Sequence, residues 1–448
     1  MKDAIFLIIL KIFIKNNMER TDFMLTAITG VNWGDEGKGR MVDLLSENYD
    51  IVVRYQGGNN AGHTVVNEKG KFILNLLPSG ILRDDVVNVI GNGVVVDIKH
   101  LVNEMNKLKE AGIKITPANL KISDRAIIVM PYHVQQDCLE EERLADAAYG
   151  STKRGIAPVY GDKYMKKGIR MGELLDSEED LKERLKGIVE WKNLMIEKGY
   201  GKEAISVDDM WAYLQEYGNI VKEFVCDTGV FLNEANDNGK DIMFEAQLGA
   251  LRDIDFGIYP FTSSSSTIAP YAPIGAGVPN LKVTKSIGIM KAYSTCVGEG
   301  PFTAEMFGEK AEELRKAGNE YGAATGRPRR VGGFDVLASR YGVRCQGADE
   351  IALTKLDVLS YLEEIPVCVG YTFKGEALKE FPIGEKLFKA EPVYEYRKGW
   401  MKDISNCKKL EELPQEAIDY IKYIEEVVGC KIKYVSVGAE REQYIVMP

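Results

Sequence analysis

The sequence is poor in the residues that build metal centres and cross-links. Its 448 residues include three histidines and seven cysteines, and no two cysteines form a C-x-x-C pair. Disulfide frameworks and structural zinc sites need paired or closely spaced ligands, so both are disfavoured, and three histidines leave little room for a multi-histidine metal centre. The odd number and wide spacing of the cysteines fit a reducing compartment, and we predict a cytoplasmic location.

Long basic runs are missing too. The chain has 57 Lys and Arg against 67 Asp and Glu, a net charge of −10. Proteins that bind nucleic acid do so largely by neutralising its phosphates, so this balance predicts no nucleic-acid partner. Hydrophobic residues make up 45% of the chain and charged residues 28%, which is typical of a folded globular protein and excludes a disordered or fibrous one.

The sequence contains no apolar segment of membrane-spanning length. The apolar run Ala4–Ile14 is interrupted by Lys11 and falls short of the roughly 20 residues that a spanning helix needs. It resembles the apolar region of a signal peptide, but Asp3 precedes it and no cleavage pattern of small residues follows. We predict that residues 1–23 are an extension outside the fold, as an upstream start codon would add, with no membrane partner; a membrane-surface anchor is the alternative.

Glycine is abundant, with 44 residues, and much of it follows short apolar segments. The segment Leu25–Val31 predicts a strand, the loop Asn32–Gly39 follows, and a helix is predicted from Arg40. Because strands and helices alternate in this way along the chain, we predict an α/β fold with a large, mainly parallel sheet flanked by helices. No linker composition interrupts the pattern, so we predict a single domain over residues 24–448 with helical insertions.

Other segments extend this alternation. The nearly uninterrupted apolar character of two of them, Val86–Ile90 and Ala126–Met130, predicts strands buried on both faces. Further strands are predicted at Asp50–Arg54, Ile287–Tyr293, Val367–Tyr371 and Tyr434–Val437, and helices at Ile98–Ala111, His133–Ala148, Asp176–Glu197 and Val207–Lys222.

The segment Gly34–Arg40 (GDEGKGR) lies between a predicted strand and a predicted helix, which is the setting of a phosphate-binding loop. It departs from the strict P-loop pattern, because Arg40 and Met41 replace the Lys and Ser/Thr. Asp35 lies within it, although an acid would repel phosphate. The carboxylate is either a solvated loop or helix-start residue, or a magnesium ligand or general base beside the phosphates.

A second glycine cluster, Arg54–Thr64 (RYQGGNNAGHT), also follows a predicted strand. Carboxyl ends of parallel strands meet at one edge of a sheet, so we expect the two loops to lie together. A lone histidine is more often a structural hydrogen-bonding residue, but the loop position of His63 favours a role in the reaction. His100 and His133 fall in predicted helices and are interpreted as structural.

Together, NWGDEGKGR and RYQGGNNAGHT closely resemble adenylosuccinate synthetase, a family of GTP-dependent enzymes that join IMP to L-aspartate. The similarity extends from about Met24 to the end of the chain. Further matching motifs are GNGVV from Gly91, GSTKRGI from Gly150, DIDFGIYP from Asp253, GAATGRPRR from Gly322, TKLDVL from Thr354 and SVG from Ser436. The resemblance implies a P-loop-like GTP-binding ligase fold with helical insertions.

The resemblance also implies a mechanism. Asp35 would take the N1 proton of IMP, and the 6-oxygen would attack the γ-phosphate of GTP. His63 would stabilise the charge that develops on the 6-oxygen and the phosphoryl group. The amine of aspartate would then displace phosphate from 6-phosphoryl-IMP. One Mg²⁺ per subunit would be held by the Asp35 carboxylate and the Gly62 carbonyl, with GTP as co-substrate.

Binding residues carry over by motif. For GTP they are Gly34, Asp35, Glu36, Gly37, Lys38, Gly39, Arg40, Gly62, His63, Thr64, Arg329, Lys355, Leu356, Asp357, Ser436, Val437 and Gly438. For IMP they are Asp35, Glu36, Gly37, Lys38, Asn60, Ala61, Gly62, His63, Thr152, Lys166, Gln247, Leu248, Ser263 and Arg327. For L-aspartate they are Ala323, Ala324, Thr325, Gly326, Arg327, Pro328 and Arg329. Taken alone, TKLD is also compatible with an ordinary helix start.

Several positions depart from the family pattern. Arg40 stands where a Lys is usual, and Leu248 stands where the family has the Gln of its IMP segment, with Gln247 one residue early. Lys166 replaces an Arg that family members extend across a homodimer to the neighbouring IMP, so a homodimer with Lys166 in that role is expected.

Two other functions remain open on the residues alone. One is a GTP-binding regulator without ligase chemistry, which the strand–loop–helix and TKLD would allow but which leaves Arg327 and Arg329 unexplained. The other is the same fold acting on a different purine nucleotide or amino donor, which the altered segment Glu245–Gly249 would allow. Asp35 favours IMP, because the proposed proton abstraction needs that carboxylate.

Overall fold

The computed structural model describes residues 24–60, 62–67, 70–322, 326 and 328–448. The predicted extension, residues 1–23, lies outside this range. The strands are β1 (Leu25–Gly30), β2 (Ile51–Arg54), β3 (His63–Asn67), β4 (Gly70–Leu74), β5 (Val87–Ile90), β6 (Val95–Val96), β7 (Leu120–Ser123), β8 (Ile127–Ile128), β9 (Val225–Cys226), β10 (Ile242–Glu245), β11 (Lys285–Lys291), β12 (Ser294–Cys296), β13 (Arg330–Gly332), β14 (Phe334–Asp335), β15 (Glu350–Thr354), β16 (Glu364–Phe373), β17 (Glu376–Leu378), β18 (Glu391–Lys398), β19 (Lys431–Ser436) and β20 (Tyr444–Val446).

Helices connect and cover these strands. They are α1 (Lys38–Leu45), α2 (Ile98–Glu110), α3 (Pro131–Leu144), α4 (Ile156–Met165), α5 (Glu178–Asn193), α6 (Val207–Tyr213), α7 (Asn219–Val221), α8 (Thr228–Asp237), α9 (Ala272–Ala276), α10 (Gly308–Ala317), α11 (Val336–Gln346), α12 (Gly384–Phe388) and α13 (Gln415–Val428). Among the residues that the structure covers, none of these helices combines the length and the apolar character that crossing a membrane requires.

A ten-stranded sheet organises the molecule, in the order β20-β19-β15-β11-β1-β10-β2-β5-β7-β9. Every neighbouring pair in it is parallel except β19 and β20. The predicted α/β fold with a large, mainly parallel sheet is therefore confirmed. The carboxyl ends of the parallel strands share one edge. The two glycine-rich loops, after β1 and after β2, both begin at this edge.

The centre of the sheet is apolar on both faces. In β1, Ala27 packs into one buried cluster together with Phe244 of β10, whereas Ile28 packs into another with Met243. Successive side chains of a strand point to opposite faces, so such strands must be covered on both sides. Helix α1 supplies Val42 to the second cluster and thereby begins directly above the sheet.

Some predicted elements differ from those observed. Val367–Tyr371 does not continue the main sheet but lies within β16, in a separate sheet with β14, β17 and β18. Only Ile127–Ile128 of Ala126–Met130 forms a strand, paired with β6, although the whole segment is buried as expected. The predicted helices 176–197 and 207–222 pass into π-helical turns at Leu194–Gly199 and Leu214–Gly218. These turns were not predicted, because side-chain periodicity cannot distinguish α from π geometry over one turn.

Candidate active site

The sheet order brings the two glycine-rich loops together. Strand β10 lies between β1 and β2, so the loop after β1, the segment Glu245–Gly249 after β10 and the loop after β2 emerge side by side. On the other side of β1, the carboxyl ends of β11, β15 and β19 follow in turn, which places the TKLD and SVG motifs at the same edge. Ligands of parallel α/β sheets bind at this edge.

The loop after β1 adopts the backbone that a phosphate cradle needs. Gly34, Asp35 and Gly37 have φ values of 102°, 59° and 96°, in the left-handed region. At Gly34 a Cβ would lie 3.2 Å from the Cα of Leu248, so glycine permits close packing against the segment after β10. Left-handed turns direct successive N–H groups to one side and make an anion-binding concavity.

A carboxylate of the protein occupies part of this concavity. Glu36 Oε1 accepts hydrogen bonds from the N–H groups of Asn32 (3.2 Å) and Gly34 (2.7 Å), and Lys38 Nζ donates to its Oε2 (2.6 Å). Glu36 and Lys38 are both buried. Glu36 is thus part of the loop's internal structure, and the surrounding donors show that the loop can hold an anion.

His63 is held by a buried carboxylate. Its Nδ1 donates a hydrogen bond of 2.5 Å to Glu245 Oε1, at the end of β10. Glu245 is fully buried and also accepts from the N–H (2.8 Å) and hydroxyl (2.7 Å) of Ser79. The guanidinium of Arg54 lies 3.5 Å from the same carboxylate.

The charges around His63 fix its protonation. Burial alone would raise the pKa of Glu245, but the charge of Arg54 and the hydrogen bonds from His63 and Ser79 lower it to about 2. Burial, together with the nearby Arg54, lowers the pKa of His63 despite the carboxylate. The neutral imidazole therefore carries its proton on Nδ1, and Nε2 is the atom left for a ligand.

Helix α1 packs directly on His63. A Cβ added at Gly39 would lie 2.6 Å from the Cβ of His63, closer than real side chains approach. Two contacts connect the glycine-rich loops to the segment Glu245–Gly249. Gly34, the neighbour of Asp35, packs on Leu248, and His63 is hydrogen-bonded to Glu245. The two residues predicted to carry the chemistry thus lie in one region of the molecule.

Asp35 lies beside an arginine from the predicted aspartate loop. Its Oδ2 is 3.2 Å from Nε of Arg329, and its side chain is partly exposed. Arg329 Nη1 donates a hydrogen bond of 2.6 Å to Glu320, which is fully buried and is also bound by Lys291 and Tyr293. Burial lowers and the carboxylates of Asp35 and Glu320 raise the pKa of Arg329, with a net increase.

The TKLD motif begins at the last residue of β15 and leads into a 3-10 helix at Leu356–Tyr361. Lys355 has φ 63°, and its Nζ donates to the carbonyl of Gly318 (2.8 Å). Leu356 is buried in the core. Oδ1 of Asp357 is buried without a hydrogen-bond partner among the described residues, and burial raises the pKa of this carboxyl. Such an oxygen is suited to a ligand that brings its own N–H groups.

Gln247 and Leu248, the two residues predicted to contact IMP in the segment Glu245–Gly249, have different surroundings. Gln247 is buried, and its Nε2 donates to the carbonyls of Gly58 (2.6 Å) and Asn75 (3.0 Å). Leu248 has φ 58°, a conformation that is costly for a branched side chain, and packs on Gly34. Gln247 is therefore committed to the protein, and Leu248 lies at the position next to the phosphate loop.

Hydrogen bonds connect other predicted IMP residues to the second loop. Asn60 Oδ1 accepts from Gly58 N–H (3.2 Å), and Ser263 lies 3.2 Å from Ser265, which donates to Gln56 (3.0 Å).

The remaining predicted residues are exposed or lie outside the described residues. Thr152 and Lys166 are exposed and lie on either side of α4, with Lys166 in a left-handed conformation (φ 63°). Gly326 and Pro328 are exposed; Ala61, Ala323, Ala324, Thr325 and Arg327 lie outside the described residues.

Sequence reasoning missed one partner of the site. Glu245 was noted only as the start of the IMP segment, yet it orients His63; its signal was an acid that closes the otherwise apolar strand IMFE. Arg330, the last residue of the GAATGRPRR motif, is half-buried, ion-paired with Glu305 and bonded to the carbonyl of Gly300. Arg40 was predicted as a GTP contact, and its guanidinium faces the loop after β19.

Comparisons with known proteins identify the family to which the chain is similar. A family model described as adenylosuccinate synthetase matches residues 27–445. The adenylosuccinate synthetase of Carboxydothermus hydrogenoformans is 47% identical over 94% of this chain and 98% of its own. That of Streptococcus gordonii is 45% identical over 93% and 96%.

Solved structures add two similarities. The fully ligated adenylosuccinate synthetase of Plasmodium falciparum superposes with a TM-score of 0.88 at 36% identity, over 94% of this chain and 99% of that one. The succinoaminodeoxyadenylate synthetase of cyanophage S-2L, bound to dGMP and dATP, has a TM-score of 0.60 at 16% identity over 94% and 95%. The second similarity concerns the fold alone.

Proposed function

The chain belongs to the adenylosuccinate synthetase family, and from this premise we propose that Asp35 and His63 carry its reaction. The family joins IMP to L-aspartate at the expense of GTP, which makes this protein a GTP-binding ligase of purine biosynthesis, at the first committed step from IMP to AMP. The products are adenylosuccinate, GDP and phosphate. The regulator without ligase chemistry is set aside by family membership.

One observation supports the assignment of the site more than any other. Strand β10 inserts between β1 and β2, and its last residue, Glu245, holds His63 at 2.5 Å while the following residues pack on the loop that carries Asp35. A carboxylate and an oriented imidazole thereby border one short segment. The arrangement suits a base and a charge-stabilising group acting on the same purine.

In the proposed mechanism Asp35 accepts the proton from N1 of IMP. The electron pair of N1 is then delocalised onto the 6-oxygen, which attacks the γ-phosphorus of GTP; the O6–P bond forms and the bond to GDP breaks. The amine of aspartate adds to C6 of 6-phosphoryl-IMP, loses a proton and displaces phosphate. Positioning and electrostatics account for most of the acceleration in such transfers.

His63 would act through Nε2. In the unligated protein its imidazole is neutral because burial and Arg54 lower its pKa. As negative charge develops on the 6-oxygen and the phosphoryl group, uptake of a proton from solvent on Nε2 becomes favourable, and the ionised Glu245 would stabilise the resulting imidazolium. The pair therefore resembles the carboxylate–histidine arrangement that orients many catalytic imidazoles.

The residues present fit one Mg²⁺ per subunit. Mg²⁺ prefers oxygen ligands and usually binds through one or two carboxylates together with substrate phosphates. The partly exposed carboxylate of Asp35 and the carbonyl of Gly62 would supply protein ligands. When bound, the ion would neutralise phosphate charge; Lys38 would contribute to the same task after exchanging its present partner, Glu36, for a phosphate oxygen.

Recognition of the substrates follows the remaining motifs. The unpartnered oxygen of Asp357 would accept from guanine N1–H and the 2-amino group, under the loop that begins with Ser436. Asn60, Thr152 and Ser263 would hold IMP. Residues 323–329 would close on L-aspartate, with arginines binding its carboxylates in a forked geometry.

We also propose a cytoplasmic homodimer. Lys166 is exposed at the end of α4 and makes no contact with the described catalytic residues of its own chain, which leaves it able to reach a neighbouring IMP. All seven cysteines are free thiols, which suits a reducing compartment.

Replacement of Asp35 tests the assignment. We expect Asp35→Ala to abolish turnover while the circular dichroism spectrum and the melting temperature stay close to those of the wild type. Asp208→Asn, which changes a highly exposed carboxylate, is the matched control and should retain full activity. Activity is followed as phosphate release with GTP or ATP, IMP or another purine nucleotide, and aspartate or another amine.

The result that would overturn the proposal is specific. Turnover by Asp35→Ala at the wild-type rate would remove Asp35 as the base. Wild-type phosphate release that depends on a nucleotide or amine other than IMP and aspartate would instead identify a changed substrate, which the apolar Leu248 beside the phosphate loop would then explain.

A further inference from the structure

The loop between β19 and β20 is fastened to the helix that follows the phosphate loop. This segment, residues 437–443, is called the C-terminal loop below. Arg40, in the first turn of α1, reaches into it, and Arg441 of the loop contacts Asp43 of the same helix, with Nε 3.4 Å from the Asp43 carboxylate. Arg40 from the helix and Arg441 from the loop thus both connect α1 to the C-terminal loop.

All four terminal N–H bonds of Arg40 are directed at this loop and its first flanking residue. Nη1 donates to Ser436 Oγ (2.5 Å) and to the carbonyl of Gly438 (2.6 Å), and Nη2 donates to the carbonyls of Glu440 and Gln443 (3.0 Å for Gln443). None of these acceptors is a carboxylate. A planar guanidinium can satisfy four divergent acceptors at once, so it sets the shape of the loop as well as its distance from α1.

The loop has few other fixed points. Internally, Val437 N–H donates to the Gln443 carbonyl and Gln443 N–H to the Glu440 carbonyl, both at 3.0 Å. Gln443 and Lys408 make one hydrogen bond each between the loop and the segment 405–408. Arg40 therefore makes more hydrogen bonds to the loop than any other described residue outside it.

The same side chain lies near an acceptor that lacks a partner. Arg40 and Asp357 are close enough to interact electrostatically, and the 3-10 helix that carries Asp357 contacts β19, the strand that leads into the C-terminal loop. Oδ1 of Asp357 is buried with no hydrogen-bond partner among the described residues. A ligand with N–H donors would satisfy it, and β19, which contacts this 3-10 helix, leads directly into the C-terminal loop.

We propose that Arg40 is a positioning residue for the nucleobase of GTP: it holds the C-terminal loop over the base that Asp357 reads, instead of binding phosphate. The inference rests on the proposed GTP site. It assigns to a residue of the phosphate-loop helix a role in recognising the opposite end of the nucleotide. Selectivity for the base is thereby coupled to the loop that holds the phosphates.

A lysine at this position would keep the charge but not the contacts. Its ammonium is a single point with three donors, so it cannot serve both Gly438 and Gln443 in the observed directions. The loop would lose at least one charge-assisted hydrogen bond, and the base would be held in a less defined position.

The test compares Arg40→Lys with Arg344→Lys in the full-length protein. Arg344 forms an exposed ion pair with Glu380, so its replacement makes the same chemical change away from the site. Steady-state kinetics give KM for GTP and IMP and kcat, equilibrium titration gives Kd for GDP, and inosine triphosphate, which lacks the 2-amino group of GTP, reports base selectivity. Melting temperatures establish that each variant is folded.

For Arg40→Lys we expect KM for GTP and Kd for GDP to rise about tenfold, the size of a lost charge-assisted hydrogen bond. The preference for GTP over inosine triphosphate should fall. KM for IMP and kcat should stay within about twofold, because contacts with the base are equally strong in the ground state and the transition state. If Arg40→Lys fails to fold, Ser436→Ala, which removes one acceptor, should produce the same pattern with smaller shifts.

Two results would overturn the inference while leaving the ligase function intact. One is an unchanged KM for GTP in active Arg40→Lys. The other is an equal rise in KM for GTP and for inosine triphosphate, which would indicate a phosphate contact. A wild type that binds no GDP and releases no phosphate would instead reject the proposed function, and this inference with it.

Discussion

At the scale of single residues, Glu245 determines how His63 can act. The carboxylate is fully buried, ionised and 2.5 Å from Nδ1. It opposes the effects of burial and of Arg54, both of which lower the pKa of His63. An amide of the same shape could still accept a hydrogen bond but would carry no charge.

We therefore expect Glu245→Gln to lower kcat by about 100-fold, the lower range for loss of a general acid–base contribution. Without the carboxylate, the pKa of His63 should fall further, so any activity that needs the imidazolium is lost at a lower pH as the pH rises. Proton NMR titration can measure the pKa directly, since the chain has three histidines and His63→Asn identifies the resonance.

The matched control is Glu203→Gln, which changes an exposed carboxylate and should leave rate and pKa unchanged. A lower kcat with an unaltered His63 titration and pH profile would contradict an electrostatic role for Glu245. That result would mean that Glu245 contributes to the site only through packing.

At the scale of elements, the contact between α1 and β3 positions the imidazole. Gly39 lies in the first turn of α1, where a Cβ would come 2.6 Å from the Cβ of His63. Alanine favours helices, so the substitution should not disturb α1 itself. It must instead displace His63 or the helix start.

We expect Gly39→Ala to reduce kcat at least about tenfold, because small displacements of a catalytic group are costly. Gly187→Ala is the control: this glycine is in α5 with no atom within 4 Å of an added Cβ, and the change should stabilise the protein by up to about 1 kcal/mol without affecting rate. Thermal unfolding and steady-state kinetics of both variants make the comparison. Full activity of Gly39→Ala would show that the helix and His63 can separate without consequence.

The elements also show how far the sequence could lead. Short apolar strands followed by glycine loops predicted the parallel sheet and the edge where its loops meet, because both depend on local patterns. The order of the strands could not be predicted, since β10 pairs with β1 and β2, from which it is separated by 217 and 191 residues along the chain.

Side-chain directions were equally beyond sequence patterns. Arg40 belongs to the phosphate-loop motif by position, yet its guanidinium faces the C-terminal loop. The strand predicted at Val367–Tyr371 is observed within β16, but the sheet that it joins could not be predicted, because an apolar strand looks the same in either sheet; its pairing with β18 depends on residues later in the chain. The roles of Asp35 and His63 came from the family resemblance, and the structure adds the partners that orient them.

At the scale of the whole molecule, the proposed homodimer would make each site depend on two chains. If Lys166 completes the neighbouring site, Asp35→Ala and Lys166→Ala subunits should complement each other. In a mixed dimer one site carries both changes and the other carries neither. Equal mixing should therefore restore about a quarter of wild-type activity, since half of the dimers are mixed and each has one intact site.

The measurement is phosphate release after the two inactive proteins are mixed and allowed to exchange subunits. Size-exclusion chromatography of each protein alone verifies that it is dimeric. Activity of the mixture equal to the average of the separate variants would contradict a shared site. It would indicate that Lys166 serves its own chain or none.

The position of β10 in the sheet also has a consequence for synthesis on the ribosome. The first 64 residues contain both glycine-rich loops, but the strand that separates and aligns them is Ile242–Glu245. A nascent chain shorter than this has β1 and β2 without their common neighbour, and His63 without its carboxylate. We therefore expect the proposed site to be completed only after more than half of the polypeptide has been synthesised, once Glu245 is available.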